Sequence, residues 1–213
     1  MTSRDTEQLI ASLTGDLAPV RPLRPPLPRA LLWLAPVGLV IGFAVLRWAN
    51  LGVFAVRFAQ PRLALECAAI LLTALTAIVA AFHLSLPDRS SLWRFAPLPP
   101  LALWLATSGL GCLQHGLGWG GAGEHLGESP HCFAFIVAVS MPLAVLLYAV
   151  LRRARPLQPL PVALTAALGV AAIAAFTLQF FHPFDTTVID FALHAAAVLV
   201  VVALAGVTRR TLA

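Results

Sequence analysis

Residues 160–181 read LPVALTAALGVAAIAAFTLQFF, an apolar run without a single charged side chain. A helix that crosses a bilayer needs about 20 mostly apolar residues, which is the length of this run. It has none of the period-two alternation of a barrel strand. A spanning segment must also satisfy its own backbone hydrogen bonds, so the run reads as a helix. Five more runs share this character, roughly 30–48, 64–86, 96–116, 132–151 and 188–208. The expected fold class is all-α, a polytopic six-helix transmembrane bundle. Residues 1–28 are expected to form a cytoplasmic segment and 29–213 the membrane domain.

The whole chain agrees with that reading. Of 213 residues, 60% are hydrophobic and 11% charged, where a soluble domain carries about a quarter charged. Mean hydropathy is +0.88. This composition excludes a soluble enzyme. Prolines punctuate the runs: Pro25, Pro26 and Pro28 before the first, Pro61 before the second, Pro97 and Pro99 at the third, Pro159 and Pro161 at the fifth. A helix's first turn tolerates proline because the missing N–H has no intrahelical partner there. Pro36 and Pro142 fall inside runs and are expected to bend them.

All of the positive charge is arginine, and its placement gives an orientation. The N-terminal segment (Arg4, Arg21, Arg24, Arg29), the second-to-third and fourth-to-fifth loops and the C-terminal tail together hold eleven. The opposite side has Arg47, Arg57 and Arg62. The positive-inside rule puts both termini in the cytoplasm. The net charge of +5 therefore describes topology, and no direct nucleic-acid partner is expected.

The head, Thr2–Leu17, is the one stretch with soluble character. Leu9, Ile10, Leu13 and Leu17 recur at helical spacing, with Gln8, Ser12 and Asp16 turned away. Thr2 and Ser3 with Asp5 and Glu7 give approximate capping chemistry at its start. A helix this short is marginal alone and needs a surface for its apolar stripe. Lipid-resting helices favour basic polar faces, whereas this one carries Asp5, Glu7 and Asp16. Protein docking and an idle or lipid-resting arm both fit. Five prolines between 19 and 28 then make a stiff connection to the membrane.

Chemistry-bearing side chains gather on the outer side of this topology. They include Cys67, Cys112, Cys132, His115, His131, His182 and Glu66. An oxidising compartment allows Cys112 and Cys132 to pair. Thiolate and imidazole together also suit zinc, copper or another soft metal ion, with Cys132, His131, His182 and His115 as the ligand set. The bland alternative makes Cys67 a small core residue and the loop histidines solvated. Asp190 and His194, four apart in the sixth run, read as a structural pair. The glycine-rich stretch 116–127 lacks the Gly-Lys-Ser/Thr ending of a phosphate loop and reads as an outer loop. No resident cofactor and no catalytic residue is expected.

Two stretches carry a resemblance. Thr6–Val20 (TEQLIASLTGDLAPV), followed by arginine–proline repeats, is similar to the opening of the NrsF family. Cys132, Ile136, Ser140 and Pro142 keep a C-x3-I-x3-S-x-P pattern, followed by the Leu151-Arg152-Arg153 turn and a His-Pro-Phe-Asp turn at 182–185. The resemblance implies a six-helix bacterial inner-membrane anti-sigma factor that sequesters a SigF-type extracytoplasmic-function sigma factor. It further implies release on a periplasmic metal or oxidative stress signal sensed by outer cysteines. Where the family has a second cysteine before its Pro-x-Asp turn, this chain has His182. Either Cys112 takes over as the thiol partner, or Cys132 and His182 share a metal. The competing class is a small inner-membrane transporter or metal-handling protein.

Overall fold

The computed structural model describes residues 3–15, 17, 23–114, 129–181 and 188–209. All regular structure among them is helical. The helices are α1 (Ser3–Gly15), α2 (Pro26–Trp48), α3 (Leu51–Phe58), α4 (Pro61–Leu84), α5 (Leu98–Gln114), α6 (Ser129–Leu151), α7 (Pro159–Leu178) and α8 (Val188–Thr208). Short 3-10 turns at Ser91–Phe95 and Arg152–Ala154 link α4 to α5 and α6 to α7.

Local chemistry sets the helix starts. Proline occupies the first turn of α2, α4 and α7. The Asn50 side chain caps α3 by accepting from the Val53 N–H at 3.2 Å. Helix α2 begins at Pro26, so the expected boundary at 28 falls inside its first turn. Arg29 is consequently a helical residue rather than part of a linker.

Among the described residues five helices are long and apolar enough to cross a membrane: Pro26–Trp48, Pro61–Leu84, His131–Ala154, Pro159–Leu178 and Phe191–Thr208. Helix α5 is not among them. It has 17 residues, about 25 Å at 1.5 Å per residue, and residues 115–128 lie outside the described part. Of the expected third run, 96–116, the described residues hold the helix Leu98–Gln114, and its last two residues lie outside them. Conversely, residues 51–58, read as connection, form α3. Their own apolar side chains explain this: Phe54 stacks on Phe180 beyond the end of α7, with ring centroids 4.3 Å apart.

Helices α4 and α7 form the centre. Helices α2 and α5 pack on α4, while α6 and α8 pack on α7 and on each other. The outward faces stay apolar, as Leu39 and Leu46 on α2, Val145 on α6 and Val207 on α8 illustrate. Buried hydroxyls are satisfied within their own helices: Thr73 donates to the Ala69 carbonyl at 2.7 Å and Thr177 to the Ile173 carbonyl at 2.8 Å. Those two hydroxyls therefore need no partner from another helix or from water, as a hydrocarbon surrounding requires.

The α4–α7 contact is rich in buried alanines, and Ala74 and Ala81 of α4 share one core with Ala166, Ala167 and Ala174 of α7. Gly169 brings the two backbones closest. A Cβ there would lie 2.6 Å from Ile78 Cδ1 and 3.2 Å from the Ile78 backbone nitrogen. Alanine gains about 1 kcal/mol in helix propensity over glycine, but overpacking costs about 1–3 kcal/mol. The Ile78 Cγ1, at 2.8 Å, belongs to a β-branched side chain that is stiff at χ1 in a helix and has little room to move aside, so the cost prevails. Gly169→Ala is therefore expected to lower the melting temperature of the detergent-solubilised protein, and adding Ile78→Ala to recover part of the loss. An unchanged melting temperature in the single variant would contradict the contact.

Candidate functional site

Three places carry chemistry: the head helix, the α6 stripe around Cys132, and a buried carboxylate between α4 and α5.

Helix α1 holds Leu9, Ile10 and Leu13 along one face, 47%, 55% and 62% exposed. Leu17 is 73% exposed and lies past the helix end, its N–H turning back to the Thr14 carbonyl at 3.3 Å. Gly15 closes the helix two residues short of the expected stretch. On the polar side Ser12 and Thr14 bond back to the Leu9 and Ile10 carbonyls at 2.9 and 2.8 Å. Asp5 sits in the first turn, where the helix dipole favours an acid. The fold thus presents an amphipathic helix whose apolar face is uncovered.

On α6, Cys132, Ile136 and Ser140 are all buried. Spacings of four keep them on one face, and that face is turned inward. The C-x3-I-x3-S pattern is therefore the packing face of α6, with Pro142 within the helix just beyond it. His131 is exposed, because neighbouring helical residues diverge by about 100°. Cys112 lies in the last turn of α5, and its side chain is outside the described residues, as are His115 and His182 entirely. The proposed thiol pair and metal set thus fall largely outside the described part. Cys67 is a buried free thiol on α4.

Sequence reading grouped Glu66 with the outer-rim acids, but it is buried, at 3% exposure. Its Oε1 accepts from the Ser108 hydroxyl of α5 at 2.8 Å, and its Oε2 pairs with Arg62 Nη1 one turn back at 3.3 Å. A buried carboxylate is tolerable only when paired and hydrogen-bonded, and both conditions hold here. Glu66 and Ser108 line a cavity of about 480 Å³ that also meets His194 of α8 and Ile136 of α6. The i, i+4 spacing of Arg62 and Glu66 was visible in the sequence. The Ser108 contact, from a helix 42 residues away, had no local signal.

With this geometry in view, comparison with known families is decisive. The model of the family described as NrsF, negative regulator of sigma F, matches residues 13–213. The chain belongs to the NrsF family. It is a member of a regulator family, and the match runs from Leu13 through all the helices that follow. Leu9 and Ile10 precede the matched part. No curated protein and no solved structure matched the chain.

The Glu66 contact gives a direct test. Ser108→Ala strips a donor from a buried carboxylate, which costs about 1–3 kcal/mol. It should lower the melting temperature of the solubilised NrsF protein, while Ser12→Ala on exposed α1 should not. Equal melting temperatures for the two variants would exclude the contact.

Proposed function

We propose that this NrsF protein is an inner-membrane anti-sigma factor that sequesters an extracytoplasmic-function sigma factor of SigF type through α1. The observation that carries the reading is the uncovered face of Leu9, Ile10, Leu13 and, beyond the helix end, Leu17, in a chain whose family regulates a sigma factor negatively. An amphipathic helix laid in an apolar groove is a recurrent way to hold a partner protein. Arginine placement supports a cytoplasmic head and tail. Helix α5, at the lower end of spanning length, serves as the sixth crossing and returns the C-terminus to the side of the N-terminus.

Sensing is assigned to the outer ends of α5 and α6. Oxidation of Cys112 and Cys132, or capture of a soft metal by Cys132 with His131, His115 or His182, repacks the inward face of α6. That shift weakens the hold of the head on sigma by a coupling energy of about 1–3 kcal/mol, the usual range. The burial of Cys132 beside Ile136 and Ser140 supports such a route, since a change at its thiol acts on packing.

A transporter or metal-handling reading draws on the cavity beside Glu66. It is the weaker one, since both oxygens of that carboxylate are engaged by Ser108 and Arg62. Deleting residues 1–20 separates the classes: a regulator loses sigma control, whereas a transporter keeps transport.

Two outcomes follow for a sigma-dependent reporter in cells. Changing Leu13 and Leu17 together to Asp should raise basal expression to the level of a strain lacking the protein, and repression that persists would refute docking through this face. Replacing both Cys112 and Cys132 by Ser should leave repression intact and abolish induction by stress. A normal response in that variant would remove the thiols from the mechanism.

A further inference from the structure

Between α2 and α6 runs a groove of about 570 Å³, and its two ends differ sharply in character. Along most of its length it is lined by apolar side chains, among them Trp33, Pro36, Val40, Leu143 and Leu146. At one end stand three arginines: Arg24 just before α2, Arg29 in its first turns, and Arg153 just after α6. The start of α2 and the end of α6 thus line the same end of the groove.

Arg29 is the informative member. It is buried, at 8% exposure, with its guanidinium carbon 5.3 Å from the centre of the Phe82 ring. Its Nη1 is buried and has no hydrogen-bond partner among the described residues. A guanidinium carries five N–H donors and keeps its charge, so a buried one with an unmet nitrogen calls for an anionic acceptor. Arg24 and Arg153, both exposed, add positive charge at the same mouth.

From Arg29 to Val40 the groove follows α2 for about 17 Å, close to half of the roughly 30 Å hydrocarbon core. That is the depth of one leaflet. A ligand that fits must place an anion among three guanidiniums and an acyl chain along the apolar wall. Basic pockets between spanning helices on the cytoplasmic side are where acidic lipid headgroups bind.

We infer that the α2–α6 groove is a binding site for one acidic phospholipid of the inner leaflet, its phosphate held by Arg29 with Arg24 and Arg153. This rests on the membrane location proposed above. Leu23 and Arg24, which line the same groove, belong to the segment that joins α1 to α2. The lipid therefore touches the tether of the docking helix and fixes where that tether leaves the membrane.

The test uses the full chain in detergent micelles and native mass spectrometry, with added dioleoylphosphatidylglycerol, dioleoylphosphatidylcholine or inorganic phosphate. One phosphatidylglycerol should be retained at least about tenfold better than phosphatidylcholine, since basic residues near the headgroups attract acidic lipid. Arg29→Met should reduce that preference to nearly none. Should Arg29→Met fail to fold, the double variant of exposed residues, Arg24→Gln with Arg153→Gln, should still weaken it. Phosphatidylglycerol with brominated acyl chains should quench fluorescence that Trp33→Phe removes. Equal retention of the two lipids, occupancy by inorganic phosphate alone, or a dimer that covers the groove and excludes lipid would each overturn the site. A chain recovered without detergent would instead refute the membrane location itself, so the two failures are distinguishable.

Discussion

The close approach of α4 to α7 at Gly169 is the contact on which the other helices depend. In a hydrocarbon surrounding, lipid tails are as apolar as leucine, so helices associate through close packing rather than through exclusion from water. Small residues make that possible. The alanines of both helices and the single Cβ-free position opposite Ile78 let two backbones come together over their length. Helices α2 and α5 then take the outer face of α4, and α6 and α8 take that of α7. The α2–α6 groove and the cavity beside Glu66 are spaces left between these flanking helices.

The polar exceptions mark where the bundle departs from simple packing. Glu66 is held from two directions, by its own helix through Arg62 and by α5 through Ser108, so α5 is tied to α4 by more than shape. Arg29 is stacked on Phe82 at the other end of α4. One acid and one base therefore clamp opposite ends of the same helix to different neighbours. On α6, Cys132, Ile136 and Ser140 face inward. A change at the Cys132 end has a packed route into the bundle, which is what a sensing role would require.

Much of this architecture was legible in local sequence, for physical reasons that are themselves local. An apolar run of spanning length and a proline in the first turn depend only on the residues within them, which is why α2, α4, α7 and α8 lie close to their expected ranges. The Cys132–Ser140 spacing likewise announced a helix face. What escaped was non-local. Nothing near Glu66 indicates that Ser108 will meet it, and Arg29 counted among the orientation-marking arginines until α4 supplied the ring beneath it. Helix α3 escaped because a short apolar stretch flanked by arginines resembles a connection, and its partner, Phe180, is remote in sequence. In the head, Leu9, Ile10 and Leu13 form the expected face, while Gly15 ends the helix before Leu17.

The head and the bundle answer different needs. The bundle pairs the Glu66 carboxylate internally and turns apolar surface outward, whereas α1 leaves an apolar face uncovered beside an acidic first turn. Membership of a family of negative sigma regulators is why a sigma factor is the occupant we propose for that face. The most direct measurement is co-elution on size exclusion of the nanodisc-embedded full chain with purified extracytoplasmic-function sigma factors of its own genome, alongside the chain lacking residues 1–17. The account predicts that the full chain carries one sigma factor with it and the truncated chain none. A truncated chain that still carries sigma, or a full chain that carries none, would contradict it.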